Sequence, residues 1–225
     1  MPAKFIPLGD PAHDAERQAL RYLVQGLPST YTVYGNPWVV ERSGVVYEID
    51  AVVAAPHAIF VVEIKGYRGV IEGTDYDWYI PEPIKSPLGL NRKTAQVLNG
   101  MMKRESYEAG QIWIQGLVFL SAASACNVQG PASRDRIHIR RTILDALQSE
   151  ALIHRLASRV TTPSTPSTEA ALDRILRSED TAHLGRSLRD DQEGRPQGAR
   201  RRLGWRSTWS SAAGRSPCNP RDQIE

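Results

Sequence analysis

The sequence predicts an α/β fold: one mixed central sheet with helices on its faces. Three observations carry this. Strand-length runs rich in Val, Ile and Ala occur at 45–55, 58–65 and 112–120. Segments with apolar residues at helical spacing occur at 10–27, 90–107 and 142–156. No stretch approaches 18 consecutive apolar residues, so no membrane-spanning helix is expected.

Taken in order, Asp10-Pro11 reads as a helix start, with Asp as N-cap and Pro at the first position. Leu20, Leu23, Val24 and Leu27 line one side of that helix. A strand at 31–41 is interrupted by Gly35-Asn36-Pro37, and Arg42-Ser43-Gly44 reads as a turn. The strands 45–55 and 58–65 join through a tight Ala55-Pro56-His57 turn. Two short strands follow at 70–71 and 78–80. The 90–107 helix turns Val97, Leu98, Met101 and Met102 inward. A buried strand at 112–120, a short one at 136–140 and a last helix at 142–156 complete the body.

The body is expected to occupy residues 1–160. A Thr/Ser/Pro linker follows at 161–168, then a short helix at 169–188 carrying Leu172, Ile175, Leu176, Leu184 and Leu188. Residues 161–225 hold seven Leu and Ile and no Val or Phe, so the Arg-rich end at 189–225 is expected to be disordered. Charge divides the same way. Nine of the 28 basic and five of the 25 acidic residues lie from Arg186 onward, which leaves residues 1–185 at net −1. The basicity belongs to the tail, and gives little support to a basic nucleic-acid-binding body. The N-terminus lacks a secretory layout, and two distant cysteines, Cys126 and Cys218, make no disulfide framework; the expected location is cytoplasmic. Oligomeric state is not legible in the sequence.

The chemistry concentrates in YEIDAVVAAPHAIFVVEIKGYRG. Alternation places Glu48 and Asp50 on one face of the first strand, and Glu63 and Lys65 on one face of the second. If the strands pair, Asp50 and Glu63 converge. Two carboxylates on neighbouring strands suit a hard divalent cation, Mg²⁺ or Mn²⁺, and a nearby lysine can stabilise a phosphorane-like transition state. Glu16 falls on the inward face of the first helix and is a third acid for the same site. An E-x-K at a strand end is often a cross-strand ion pair, but an acid set among apolar residues, as Asp50 is, calls for a partner.

These residues resemble the NERD (nuclease-related) domain, a family of the PD-(D/E)xK superfamily with a restriction-endonuclease-like fold. The resemblance rests on Glu48-Ile49-Asp50, the apolar run that follows, Glu63-Ile64-Lys65-Gly66-Tyr67-x-Gly69 and the L-P-x-x-Y-x-V pattern at 27–33; it spans about residues 10–150. It implies metal-binding acids at Asp50 and Glu63, a catalytic lysine at Lys65 and a supporting helix acid at Glu16. It also implies a Gln in the helix after the site, for which Gln96 is the candidate, with Arg92 and Lys93 as alternatives there that would contact phosphate; Arg68 is a further basic residue able to line a nucleic-acid cleft. The stretch at 86–98, SPLGLNRKTAQVL, resembles NERD-kinase proteins of BREX-type bacterial phage-defence systems. No kinase signature is present, and on that kinship the Arg/Gly/Ser/Trp-rich end reads as frameshifted or truncated sequence.

The expected function is metal-dependent hydrolysis of DNA, in a phage- or mobile-element-defence setting with other defence proteins as partners and no membrane. Two other readings stay open: a catalytically weak module that binds DNA or protein, and a truncated remnant of a larger NERD-kinase protein.

Overall fold

The computed structural model describes residues 1–80, 82–158 and 161–178. Among the described residues, ten strands and five α-helices are arranged around one large sheet. The strands are β1 (Lys4–Pro7), β2 (Thr32–Gly35), β3 (Trp38–Val40), β4 (Val46–Glu48), β5 (Ala51–Ala55), β6 (Ala58–Thr74), β7 (Asp77–Ile80), β8 (Glu82–Lys85), β9 (Ile114–Gln129) and β10 (Ile137–Ile139). The helices are α1 (Asp14–Gly26), α2 (Leu88–Glu105), α3 (Ile143–Gln148), α4 (Glu150–Leu156) and α5 (Pro166–Leu176).

β6 is the axis of the sheet. On one side it pairs antiparallel with β5 through its first half and with β7 through its second. On the other it pairs parallel with β9 from Ile59↔Ile114 to Thr74↔Gln129. β2 and the edge strand β1 extend the β5 side, and β10 extends the β9 side. β3 and β4 form a separate hairpin outside the main sheet. The expected mixed sheet flanked by helices is therefore the observed architecture.

Strand alternation divides the core. Phe60, Val62 and Ile64 pack with Leu20 and Leu23 of α1 and with Ile143 and Leu147 of α3. Ile59 and Val61 pack with Val97, Leu98 and Met102 of α2 and with Leu172 and Ile175 of α5. α2 lies close to the sheet because Asn91, itself buried, donates to the Val61 carbonyl at 3.0 Å. Gly116 permits that approach: a Cβ there would stand 2.2 Å from Asn91 Oδ1. Beyond this core, Ile71, Trp78, Val118 and Leu120 form a third cluster at the far end of β6 and β9.

Several expectations are corrected. The first helix starts at Asp14, with His13 at the N-cap position, and not at Asp10-Pro11. The Glu16 carboxylate accepts from the Ala12 N–H at 3.1 Å, which serves the opening of the helix from inside it. The 45–55 strand is broken at Ile49-Asp50, so Glu48 belongs to the outlying hairpin and shares no strand with Asp50. β6 and β9 run far past the ends read from hydrophobicity, because their pairing continues across a register shift between Lys65 and Arg68 into residues of low apolar content. The last helix is split at Ser149, whose hydroxyl caps α4 by accepting from Leu152 N at 3.1 Å. β1 and β8 were not legible in the sequence.

The largest difference concerns residues 161–176. The Thr/Ser/Pro stretch does not act as a spacer. Thr162 bridges to Ile112, the Ser164 N–H donates to the Pro56 carbonyl at 2.7 Å, and Thr165 caps α5 through Thr168 N at 3.1 Å. The helix expected at 169–188 starts earlier, at Pro166. Its Ala171, Leu172, Ile175 and Leu176 are buried against the sheet and α2. Leu184 and Leu188, and the tail expected at 189–225, lie outside the described residues. A body ending at residue 160 would lose this packing. Leu172→Ala is expected to cost about 2–5 kcal/mol, the usual range for emptying a fully buried leucine site. A chain ending at 160 is expected to melt below one ending at 178, and thermal denaturation of the three proteins checks both statements.

Burial holds the imidazoles of His57 and His138 below the ordinary histidine range; the charge of Glu150 opposes this at His57, and the Asp135 carbonyl and charge oppose it at His138. The unfolded chain takes up these protons near about pH 6.5, whereas the fold does so only at lower pH. Their contribution is therefore complete above that pH and is lost as pH falls through the folded-state values. Denaturant melts at pH 7 and pH 5 are expected to show a smaller acid loss in a His57→Gln/His138→Gln variant than in the wild type.

Candidate active site

The sheet places the acids. The β5–β6 register pairs Ala51 with Val62, and one residue further along it sets Asp50 opposite Glu63. The chain turns sharply just there. Asn36 takes a positive φ of 53°, which asparagine tolerates better than most residues. Its N–H donates to the Asp50 carbonyl at 3.1 Å, and the Ile49 N–H donates to the Pro37 carbonyl at 2.9 Å. The β3–β4 hairpin thus projects from a base pinned between Asn36 and Asp50. β6 has its own irregularity directly after Lys65, and Gly66 lets α1 pass close by: a Cβ at Gly66 would stand 3.0 Å from that of Ala15. Glu16 follows Ala15 and is carried to the same region.

The side chains form a compact charged cluster. Asp50 Oδ2 accepts from the Ile64 N–H at 2.6 Å. Lys65 Nζ reaches back along its strand to Glu63 Oε1 at 2.5 Å, and both side chains are nearly enclosed, at 13% and 10% exposure. Glu16 is buried, with Oε1 accepting from Asn36 Nδ2 and Oε2 from Ala12 N. Burial, and then the charge of Glu63, pushes the Asp50 carboxyl well above the ordinary range; Glu16 adds to this, while Lys65 and the Ile64 N–H oppose it. Three acids thus lie near one lysine, and the charges of Glu63 and Glu16 add to the effect of burial at Asp50.

Asp50, Glu63, Lys65 and Glu16 are therefore brought together. The proposed nucleic-acid residues are not part of that cluster. Arg68 is exposed on β6 beyond the register shift, and Arg92 is exposed on α2. Lys93 pairs with Glu41 of the hairpin tip at 2.8 Å. Lys93 and Gln96 line a groove of about 210 Å³ with Glu41, Arg42 and Arg104, between α2 and the hairpin. Asn36 is the residue that the sequence reading missed. Its signal was present in Gly35-Asn36-Pro37 as a break in a strand, but nothing local shows that the break ties Glu16 to the backbone of Asp50.

Among the described residues, no three His, Cys, Asp or Glu side chains stand close enough together to form a ready metal cage. The chemistry of the donors nevertheless fits a hard cation. Asp50 and Glu63 would supply oxygen ligands, and a divalent ion would offset the charges of Glu63 and Glu16 that add to burial at Asp50.

The comparisons with known proteins agree with this geometry at the level of the domain. The family model described as the nuclease-related domain, NERD, matches residues 11–121, from just before α1 into β9. No curated protein and no solved structure matches the chain. No helix among the described residues is long and apolar enough to cross a membrane.

Proposed function

We infer that this chain, which carries a nuclease-related domain over residues 11–121, hydrolyses phosphodiester bonds of DNA with a divalent cation, Mg²⁺ or Mn²⁺, at Asp50 and Glu63. The nuclease-related character belongs to the domain; the reaction, ion and substrate are the proposal. The observation that carries it is the enclosed cluster of Asp50, Glu63, Glu16 and Lys65 at the meeting of β5, β6 and α1. An ordinary surface ion pair would need neither the burial nor the surplus of acids.

A bound cation would supply Lewis-acid polarisation of the phosphodiester and would ease deprotonation of the attacking water. The protein residues do the rest. Asp50 is fixed by the Ile64 N–H, so its carboxylate is held in one orientation. Glu63 holds Lys65 Nζ inside the cluster, where an ammonium stabilises charge developing on the phosphoryl oxygens. Glu16, tethered by Asn36, adds negative charge from the helix side. As the bond from water oxygen to phosphorus forms, the bond from phosphorus to the leaving sugar oxygen breaks and that oxygen takes a proton. Arg68, Arg92, Lys93 and Gln96 are proposed as contacts to the nucleic acid outside the centre.

A second reading, a module that binds DNA or protein with weak catalysis, is favoured by one observation: residues 1–185 carry net −1 and no general basic field. A setting in phage or mobile-element defence, with other defence proteins as partners, rests on the resemblance of residues 86–98 alone. Incubation of the purified chain with supercoiled, linear and single-stranded DNA, with Mg²⁺, Mn²⁺ or chelator, separates the readings. Cation-dependent cleavage supports the first, and retention of DNA without cleavage supports the second.

A further inference from the structure

A cavity of about 320 Å³ opens between the edge strand β1 and α1, next to the acid cluster but outside it. Its lining includes Phe5 and Pro7 of β1, Arg17, Arg21 and Gln25 of α1, and Asn36. Phe5 is the exposed aromatic of the set, at 43%, and its ring lies over Gly35, where a Cβ would stand 3.0 Å from it. Asn36 is 1% exposed. Its Nδ2 donates to Glu16, but its buried Oδ1 meets no donor among the described residues.

We propose that this cavity receives an unpaired nucleobase of the substrate strand. The proposal rests on the nuclease reading, since it makes the cavity a subsite beside that centre. The occupant follows from the lining. A flat heteroaromatic ring stacks on the exposed face of Phe5, and the exposed guanidinium of Arg21 offers a second plane to the same ring. The volume lies at the lower end of the range for small-ligand pockets, about 300–1,000 Å³, and so suits one base better than a duplex step. Because Asn36 also holds Glu16 and the backbone of Asp50, a base seated there is coupled directly to the acid cluster.

The test uses the full chain in chelator, so that binding is read without cleavage. A tetradeoxynucleotide with one 2-aminopurine and three abasic positions is titrated by fluorescence, and the all-abasic tetranucleotide by calorimetry. We expect the fluorescence to be quenched on binding and the abasic strand to bind about tenfold more weakly, a loss typical of one stacked base. Phe5→Ala and Arg21→Ala are each expected to weaken the base-containing strand several-fold and to leave the abasic strand unchanged. Arg21 is exposed on α1, so its variant keeps the test alive if Phe5→Ala fails to fold. Equal affinity for the two strands, absence of binding, or equal weakening of both strands by the variants would each overturn the proposal. Displacement of the strand by 2′-deoxyadenosine 5′-monophosphate at lower concentration than the strand itself requires would assign the cavity to free nucleotide and also overturn it. Base-dependent binding by a chain that cleaves nothing in Mg²⁺ or Mn²⁺ would sink the nuclease reading and leave the base subsite standing; cleavage without base dependence would do the reverse.

Discussion

Lys65→Ala is expected to lower DNA cleavage by about 10²–10³-fold, the loss typical of removing one preorganised group that stabilises transition-state charge. Lys65 sits nearly enclosed at 13% side-chain exposure, 2.5 Å from Glu63, in a cluster with more acid than base. Its ammonium offsets the negative charge felt by Asp50. Removing it takes away no core residue, because Lys65 belongs to none of the three hydrophobic clusters. The effect on folding is therefore electrostatic: a modest drop in melting temperature without cation, far smaller in consequence than the kinetic loss. Lys65→Arg keeps the charge but exchanges a compact ammonium for a planar fork, and is expected to recover only part of the rate. Initial rates and melting curves on the three proteins decide this, and an unchanged rate in Lys65→Ala would remove the lysine from the mechanism.

Replacing both acids, Asp50→Asn with Glu63→Gln, is expected to abolish the stabilisation that a divalent cation gives the wild type. A ligand that binds only the fold contributes about 1.4 kcal/mol at ten times its Kd, which amounts to a few degrees in a domain of this size. The double variant is also expected to melt higher than the wild type in chelator. Burial and the Glu63 charge press on the Asp50 carboxyl in the fold, and neutral amides remove that repulsion. The expected outcome is a crossover: the wild type gains from cation and the variant does not, while the variant starts higher. Melting curves in chelator and in millimolar Mn²⁺ measure it. An equal shift in both proteins would place the ion elsewhere.

Much of the site was legible because strand alternation is a local property. Asp50, Glu63 and Lys65 sit at fixed intervals in two apolar runs joined by a tight turn, so their faces follow from the sequence once the strands pair. Glu16 was legible from helical spacing, although its helix begins three residues later than Asp10-Pro11 suggests. Glu48 misled for the same reason that Asp50 did not: alternation assumes an unbroken strand, and the bend held by Asn36 ends it at Ile49-Asp50. Long-range pairing was the other blind spot. The second half of β9 holds Ser121, Ala122, Ala123, Ser124 and Ala125, too little hydrophobicity to read as a strand, and is strand because β6 runs beside it. α5 was hidden by composition. Thr165 and Pro166 look like linker, yet they are the N-cap and first turn of a helix whose apolar face fills the core beside α2.

The most direct measurement of the central claim is the rate of nicking of supercoiled DNA by the purified chain as Mn²⁺ is raised from zero, with the Glu63→Gln protein alongside. If Asp50, Glu63 and Lys65 form a cation-dependent phosphodiesterase centre, the wild-type rate rises from background and saturates with the ion, and the Glu63→Gln rate stays at background. A wild-type rate that does not respond to the ion, or a Glu63→Gln protein that nicks as fast, would contradict it.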